Sequence, residues 1–221
     1  MLTGFATAEG TARYAARLGS AVAEGHFRML DRDVRVSSLG LGTYLGPEDA
    51  TTDVLYQEAV ARALALGINV IDTAVNYRNQ RSERAVGTAL EEAVRQGLVR
   101  RDEVLVATKG GFIPLDAADR RDPRMYFTAT YLETGLVTPD DVVAGSHCIT
   151  PRYLRDQLAR SRANLGLETI DVYYVHNPET QLDAVDRPEF LRRMRDAFAA
   201  LEGAVGERKI ARYGTATWKG Y

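Results

Sequence analysis

A carboxylate, a phenol, an amine and an imidazole stand in this 221-residue chain where short apolar runs come to an end. Asp72 closes the run INVI, with Tyr77 shortly after it; Lys109 closes VLVAT; His176 closes DVYYV. Short runs rich in Val and Ile are strand signals, so each of these side chains is expected at or just beyond the carboxyl end of a strand. A carboxylate in such a place needs a countercharge, because burying a lone charge is costly, and Lys109 can supply it. A cation held near Tyr77 would favour the phenolate and is expected to draw the phenol below its ordinary pKa near 10. Tyr77 is then a usable general acid, and His176 can hydrogen-bond a carbonyl oxygen and orient it. The chemistry this suggests is carbonyl reduction, with hydride from a bound donor and the proton from the phenol. Taken one at a time the same residues read as a structural ion pair, a loop tyrosine and a rim histidine.

Bringing four scattered residues together requires a particular scaffold. Candidate strands cover residues 39–43, 68–72, 104–108, 171–175 and 211–215, and they alternate with stretches of helical period. That alternation predicts βα units and a parallel sheet buried on both faces. One helix carries Val54, Ala59, Leu64 and Leu66 and stops at Gly67. A second is preceded by Ser82 and ended by Gly97, and a third opens on Pro151 and is followed by Gly166. Glycine past a helix end and proline in a first turn are the expected punctuation. A fourth helix carries Phe190, Met194, Phe198 and Leu201. Five such units fit either an open doubly wound sheet or part of a closed eight-stranded barrel. The segment LGLGTYLG is not Gly-x-Gly-x-x-Gly and no helix follows it promptly, which weakens the dinucleotide-fold reading. In a parallel barrel all carboxyl ends converge on one rim, where the four residues would meet.

Residues 1–26 read as a short surface helix. Residues 27–38 read as a hairpin turning at Asp31-Arg32-Asp33 and plugging one end of the barrel. Between the third and fourth strands the connection is much the longest, and residues 112–150 are an insertion expected to act as a lid. Its Phe112, Tyr126, Phe127 and Tyr131 would supply aromatic walls for an apolar or ring-bearing carbonyl, or equally be ordinary loop packing. The whole chain, 1–221, is expected to be one domain, with βα units 1 to 5 over residues 39–221.

Composition narrows the classes. Apolar residues make up 45% and charged residues 26%, and 28 Lys+Arg against 30 Asp+Glu leave a net charge of −2. This is globular composition, without the basic excess that nucleic-acid binding runs on. Cys148 is alone, so no intrachain disulfide forms and a reducing cytoplasm is the expected location. His26, His147 and His176 lie far apart, and no metal site is expected. Neither a secretory leader nor a membrane-spanning run is seen.

The chain resembles the aldo-keto reductase superfamily. The resemblance is carried, in the family's order, by LGLGTYL, GINVIDTAVNY, SERAVGTAL, VLVATK, LARSRANLGLETIDVYYVHNP and IARYGTATW, over most of residues 39–218. It implies a (β/α)8 barrel, an NADPH or NADH cofactor, and a small carbonyl substrate. It also implies a catalytic tetrad of Asp72, Tyr77, Lys109 and His176, with Gly42, Thr43, Tyr44, Asp72 and Thr217 meeting the cofactor. Two positions depart from the family's pattern. Arg78 follows Tyr77 where the family usually has Gly, and Gly214-Thr215-Ala216-Thr217 stands where Gly-Val-Ser-Asn is common. A whole barrel typically needs about 250 residues, so the chain is expected to hold five of eight units, to associate through its open barrel edges, and to be completed elsewhere for full activity. The alternative activity is a nicotinamide-nucleotide-binding regulatory module that turns over slowly or not at all, or an inactive fragment.

Overall fold

The chain begins with helix α1 (Ala8–Leu18) and a hairpin of β1 (Phe27–Leu30) and β2 (Val34–Ser37), in a computed structural model that describes every residue except Arg32 and Tyr221. Phe27 pairs with Ser37 and Leu30 with Val34, which makes the hairpin antiparallel. Of its turn, Arg32 lies outside the described residues. Five parallel strands follow: β3 (Leu41–Gly42), β4 (Val70–Asp72), β5 (Leu105–Gly110), β6 (Ile170–His176) and β7 (Ile210–Ala216), hydrogen-bonded in that order. Sequential neighbours joined by helices give the curved wall of a (β/α)8 barrel, of which these are five strands.

Helices α2 (Ala50–Ala65), α3 (Arg81–Arg95), α5 (Pro151–Leu165) and α6 (Arg187–Gly206) pack outside the wall, and the short α4 (Pro123–Phe127) lies in the insertion. Gly67, Gly97 and Gly166 are all left-handed where the helices end. Ser82 sits inside the first turn of α3 rather than before it, because Gln80, with φ 74°, starts the helix. Side chains alternate along each strand. Ile71, Val106, Tyr173 and Val175 face the helices in the main core. Val70, Leu105, Ala107, Val172 and Tyr174 face the barrel interior together with Leu30, Val34 and Val36 of the hairpin. The hairpin thus fills the foot of the barrel. Asp31 adds an ion pair to Arg212 of β7 at 2.7 Å.

Two expectations need correction. The N-terminal helix is more than a surface helix, because only one of its faces is exposed. Thr11, Tyr14 and Ala15 are buried, the Tyr14 hydroxyl donates to Leu64 O at 2.6 Å, and Arg13 and Arg17 both pair with the buried Glu103 at 2.9 Å. Nor is the 112–150 insertion a lid. Tyr126 and Tyr131 are buried in the outer core, and Tyr131 packs 6.3 Å from Tyr153 of α5 while donating to Pro114 O at 2.8 Å. Phe127 packs 5.8 Å from Tyr131. Aromatic residues bury more area against a helix layer than they would over an open rim, so the insertion folds down the side of the barrel. No described helix is long and apolar enough to cross a membrane.

Candidate active site

Strand stagger carries the polar groups to the rim. Asp72 pairs across the sheet with Ala107, and Lys109 is the next inward residue above Ala107. Lys109 in turn pairs with Tyr174, and His176 is the next inward residue above Tyr174. Each inward polar residue therefore stands one inward step higher than its neighbour's partner, which is what strand tilt in a closed barrel produces. Three strands with the same alternation deliver a carboxylate, an amine and an imidazole to one mouth. Tyr77 arrives on the loop after β4, whose backbone still follows β5 through Thr73 N to Ala107 O at 2.9 Å and Val75 N to Lys109 O at 3.2 Å.

The Lys109 ammonium is buried and donates to Asp72 Oδ2 at 2.6 Å, Thr73 O at 2.8 Å and Tyr77 Oη at 3.3 Å. Burial lowers its pKa, opposed by Asp72. Tyr77 differs from the expectation of a depressed pKa. Burial first, then Asp72 and Tyr44, push the phenol up to about 12. Asp72 stands closer to Lys109 than Tyr77 does, so the cation is largely balanced before the phenol feels it, and desolvation wins. The group is a phenol, not a phenolate, at neutral pH. His176 is pulled down to about 3, by burial first and then by Lys109 and His147, so its ring is neutral. Its Nδ1 is buried without a partner, leaving Nε2 as the nitrogen a ligand can reach. The Tyr77 and His176 rings meet edge to face at 5.8 Å.

Arg78 shows why a residue other than glycine is tolerated after Tyr77. Arg78, Asn79 and Gln80 all have positive φ, at 50°, 49° and 74°. The Arg78 side chain turns inward and donates to Pro47 O at 2.7 Å, Asp49 O at 3.0 Å and Asp53 Oδ1 at 2.8 Å. Those bonds fasten the Tyr77 loop to the start of α2 and offset the cost of the left-handed backbone.

Asp72, Tyr77, Lys109 and His176 all line one cleft of about 630 Å³, together with Tyr44 and Phe112. Of the residues expected to meet a cofactor, Tyr44, Asp72 and Thr217 line this cleft, and Gly42 and Thr43 line a smaller recess beside it. Thr43 is buried, and its hydroxyl donates to Asp72 O at 3.2 Å, which ties β3 to β4. Among the aromatics of the insertion only Phe112 lines the cleft. Sequence reasoning missed three lining residues: Asn76, Asn177 and Trp218. Each lies in the loop leaving a strand, and that position alone was the available signal. Asn177 takes a left-handed conformation, φ 44°, and its amide links Ala216 O with the Trp218 indole.

The chain is similar to known proteins over most of its length. It is 28% identical to an NADH-specific methylglyoxal reductase of Escherichia coli, covering 83% of this chain and 49% of that one. It is 29% identical to a D-threo-aldose 1-dehydrogenase of a Pseudomonas species, covering 67% and 39%. Among solved structures, an aldo-keto reductase of Bacillus halodurans in its holo form aligns with a TM-score of 0.59 at 24% identity, over 86% of this chain and 50% of that one. An aldo/keto reductase of Klebsiella pneumoniae in complex with NADP and acetate aligns with a TM-score of 0.56 at 21% identity, over 88% and 50%. The chain therefore spans no more than about half the length of these relatives. Residues 38–219 match the Aldo/keto reductase family, and with that match, this barrel wall and this rim, the chain belongs to that family.

Proposed function

We propose that the protein containing this chain reduces an aldehyde or ketone to an alcohol with NADH or NADPH. The observation that carries the reading is the Lys109 ammonium held between Asp72 and Tyr77, with His176 on the same cleft. A neutral phenol beside a cation is a proton donor that remains loaded at physiological pH. A neutral imidazole can donate from Nε2 to a carbonyl oxygen and so fix its orientation.

The nicotinamide end of the cofactor fits the cleft. The space is ample, the Thr217 hydroxyl lies at its edge, and Asn76 Oδ1 is a buried oxygen without a protein partner in its wall. Buried unpaired polar atoms are rare unless a bound group completes them. Thr217, Asn76 and Tyr44 would hold that end, and the cofactor when bound supplies the hydride. Tyr77 holds the proton at Oη, Lys109 and Asp72 keep the phenol oriented, and His176 positions the carbonyl. Tyr44, Phe112 and Trp218 make the mouth aromatic, which suits an uncharged carbonyl compound.

Loss of reduced-nicotinamide absorbance with a panel of small aldehydes and ketones tests the reading. Turnover in wild type that collapses in Tyr77→Phe supports it. Nucleotide binding with no turnover of any carbonyl would replace it with the regulatory reading.

A further inference from the structure

The mechanism leaves unused a second buried histidine directly behind the first. His147, in the insertion and 0% exposed, places Nε2 2.7 Å from the backbone oxygen of His176. A carbonyl can only accept, so Nε2 carries the proton. The other nitrogen agrees: Gln181 Nε2 lies 2.8 Å from His147 Nδ1, and an amide NH₂ can only donate, so Nδ1 is bare. Gln181 is buried too, and its Oε1 accepts from Arg193 Nη1 of α6 at 2.6 Å. Both partners demand one tautomer, and the ring orientation follows.

The surroundings are shaped around this bond. Gly111 has φ +148°, and a Cβ there would come 2.9 Å from His176 O and 3.0 Å from His147 Nε2. Phe112 packs edge to face on both imidazoles, at 4.9 Å from His147 and 5.1 Å from His176. Cys148 N donates to Gly111 O at 2.9 Å, which fastens the insertion's return to the strand end. After His176 the backbone turns left-handed at Asn177, whose N–H donates to Ala216 O at 2.7 Å, so the His176–Asn177 peptide is held from β7 on one side and from His147 on the other as the chain leaves the sheet.

We propose that His147 is a positioning residue: through its hydrogen bond to the His176 carbonyl it sets where the His176 imidazole stands on the rim, which makes the 112–150 insertion a brace for the site. The inference rests on the reading of His176 as the group that orients the substrate carbonyl. A misplacement of about 1 Å in such a group can cost on the order of 10²-fold in rate.

The test has two arms. In the first, ring ¹⁵N NMR of histidine-labelled wild-type protein is expected to show His147 in the Nε2–H form at about pH 7 to 8, where burial, which lowers its pKa, favours the neutral ring. His147→Phe keeps a flat ring, larger than imidazole, and removes the donor, and the His176 ring signals are expected to shift. His147→Gln keeps an N–H donor, and the signals are expected to return toward wild type. Gln181→Met, which leaves His147 in place, frees its Nδ1 and so loosens the ring against the His176 carbonyl; a shift of the His176 signals is expected, and the variant serves if His147→Phe does not fold. An Nδ1–H form in wild type, or His176 signals indifferent to these variants, overturns the proposal. In the second arm, kcat of His147→Phe is expected to fall by about 10-fold or more with nucleotide affinity unchanged, and His147→Gln to recover most of it. Equal losses in both variants would mark a merely structural residue and overturn the proposal. If wild type reduces no carbonyl, the functional reading fails while the NMR arm still decides the link between the two histidines.

Discussion

Lys109 meets Tyr77 twice: its ammonium lies 3.3 Å from the phenol oxygen and 4.9 Å from the centre of the ring. Oxygen and ring face are both engaged by one cation, so the phenol is fixed in direction without being ionised. Tyr77→Phe keeps the ring contact and removes the hydroxyl, and with it the proton and the Lys109 hydrogen bond. Turnover is expected to fall by about 10² to 10⁴, with nucleotide binding and thermal stability near wild type; steady-state kinetics beside fluorescence titration of the nucleotide check this. Because the phenol titrates at about 12, carbonyl reduction should show no alkaline loss from this group through about pH 9.

A second expectation concerns acid. His176 is held down to about 3 and burial lowers His147 as well, whereas in the unfolded chain both bind protons near the ordinary value of about 6.5. Below that value the unfolded state carries more protons, so stability falls as pH falls. The slope approaches about 1.4 kcal/mol per pH unit for each histidine until its folded-state value is reached. Urea unfolding between pH 7 and 4 measures it, and His176→Asn should flatten the curve. A wild-type curve already flat over this range would contradict the burial described for both rings.

Arg78 offers a test of backbone strain against hydrogen bonding. Arg78→Gly and Arg78→Ala both discard three inward bonds and should destabilise by about 2 kcal/mol or more. Glycine relieves the positive φ and alanine does not, so the glycine variant should be the more stable by about 1 kcal/mol. Urea midpoints at a shared slope separate the two. Both should lower turnover, because the loop they loosen carries Tyr77.

At the foot of the barrel, Asp171 accepts from Arg101 Nη2 at 2.6 Å, Val106 N at 2.8 Å and Ala6 N at 2.5 Å. Both side chains are buried. Arg101→Met leaves the carboxylate without its countercharge and should cost about 3 to 5 kcal/mol. Replacing a surface arginine such as Arg95, paired only with its helix neighbour Glu92, should change the unfolding midpoint very little.

Much of the rim was legible because strand alternation is a short-range property. Once 68–72, 104–108 and 171–175 read as strands, Asp72, Lys109 and His176 had to sit at their carboxyl ends. The sign of the Tyr77 shift was not legible, since it depends on Asp72 being closer to Lys109 than the phenol is. The course of the insertion was hidden for another reason: Tyr126 and Tyr131 have the same composition whether they cover a rim or pack on a helix. Tyr14 is likewise one aromatic in a polar helix, and its interior partners, Leu64 O and the Phe27 ring, are met only across the fold. His147 looked isolated because the partners its ring nitrogens meet, the His176 carbonyl and the Gln181 amide, lie 29 and 34 residues away and share no spacing pattern with it.

Strand β6 is gripped at both extremities, by Asp171 below and by the His147 bond to His176 above, about 16 Å apart at the usual rise per residue. A ribbon clamped in that manner cannot slide along its neighbours without breaking one of the two grips. Loss of the lower grip, at Ala6 N for instance, should therefore loosen the same strand that carries His176 to the rim.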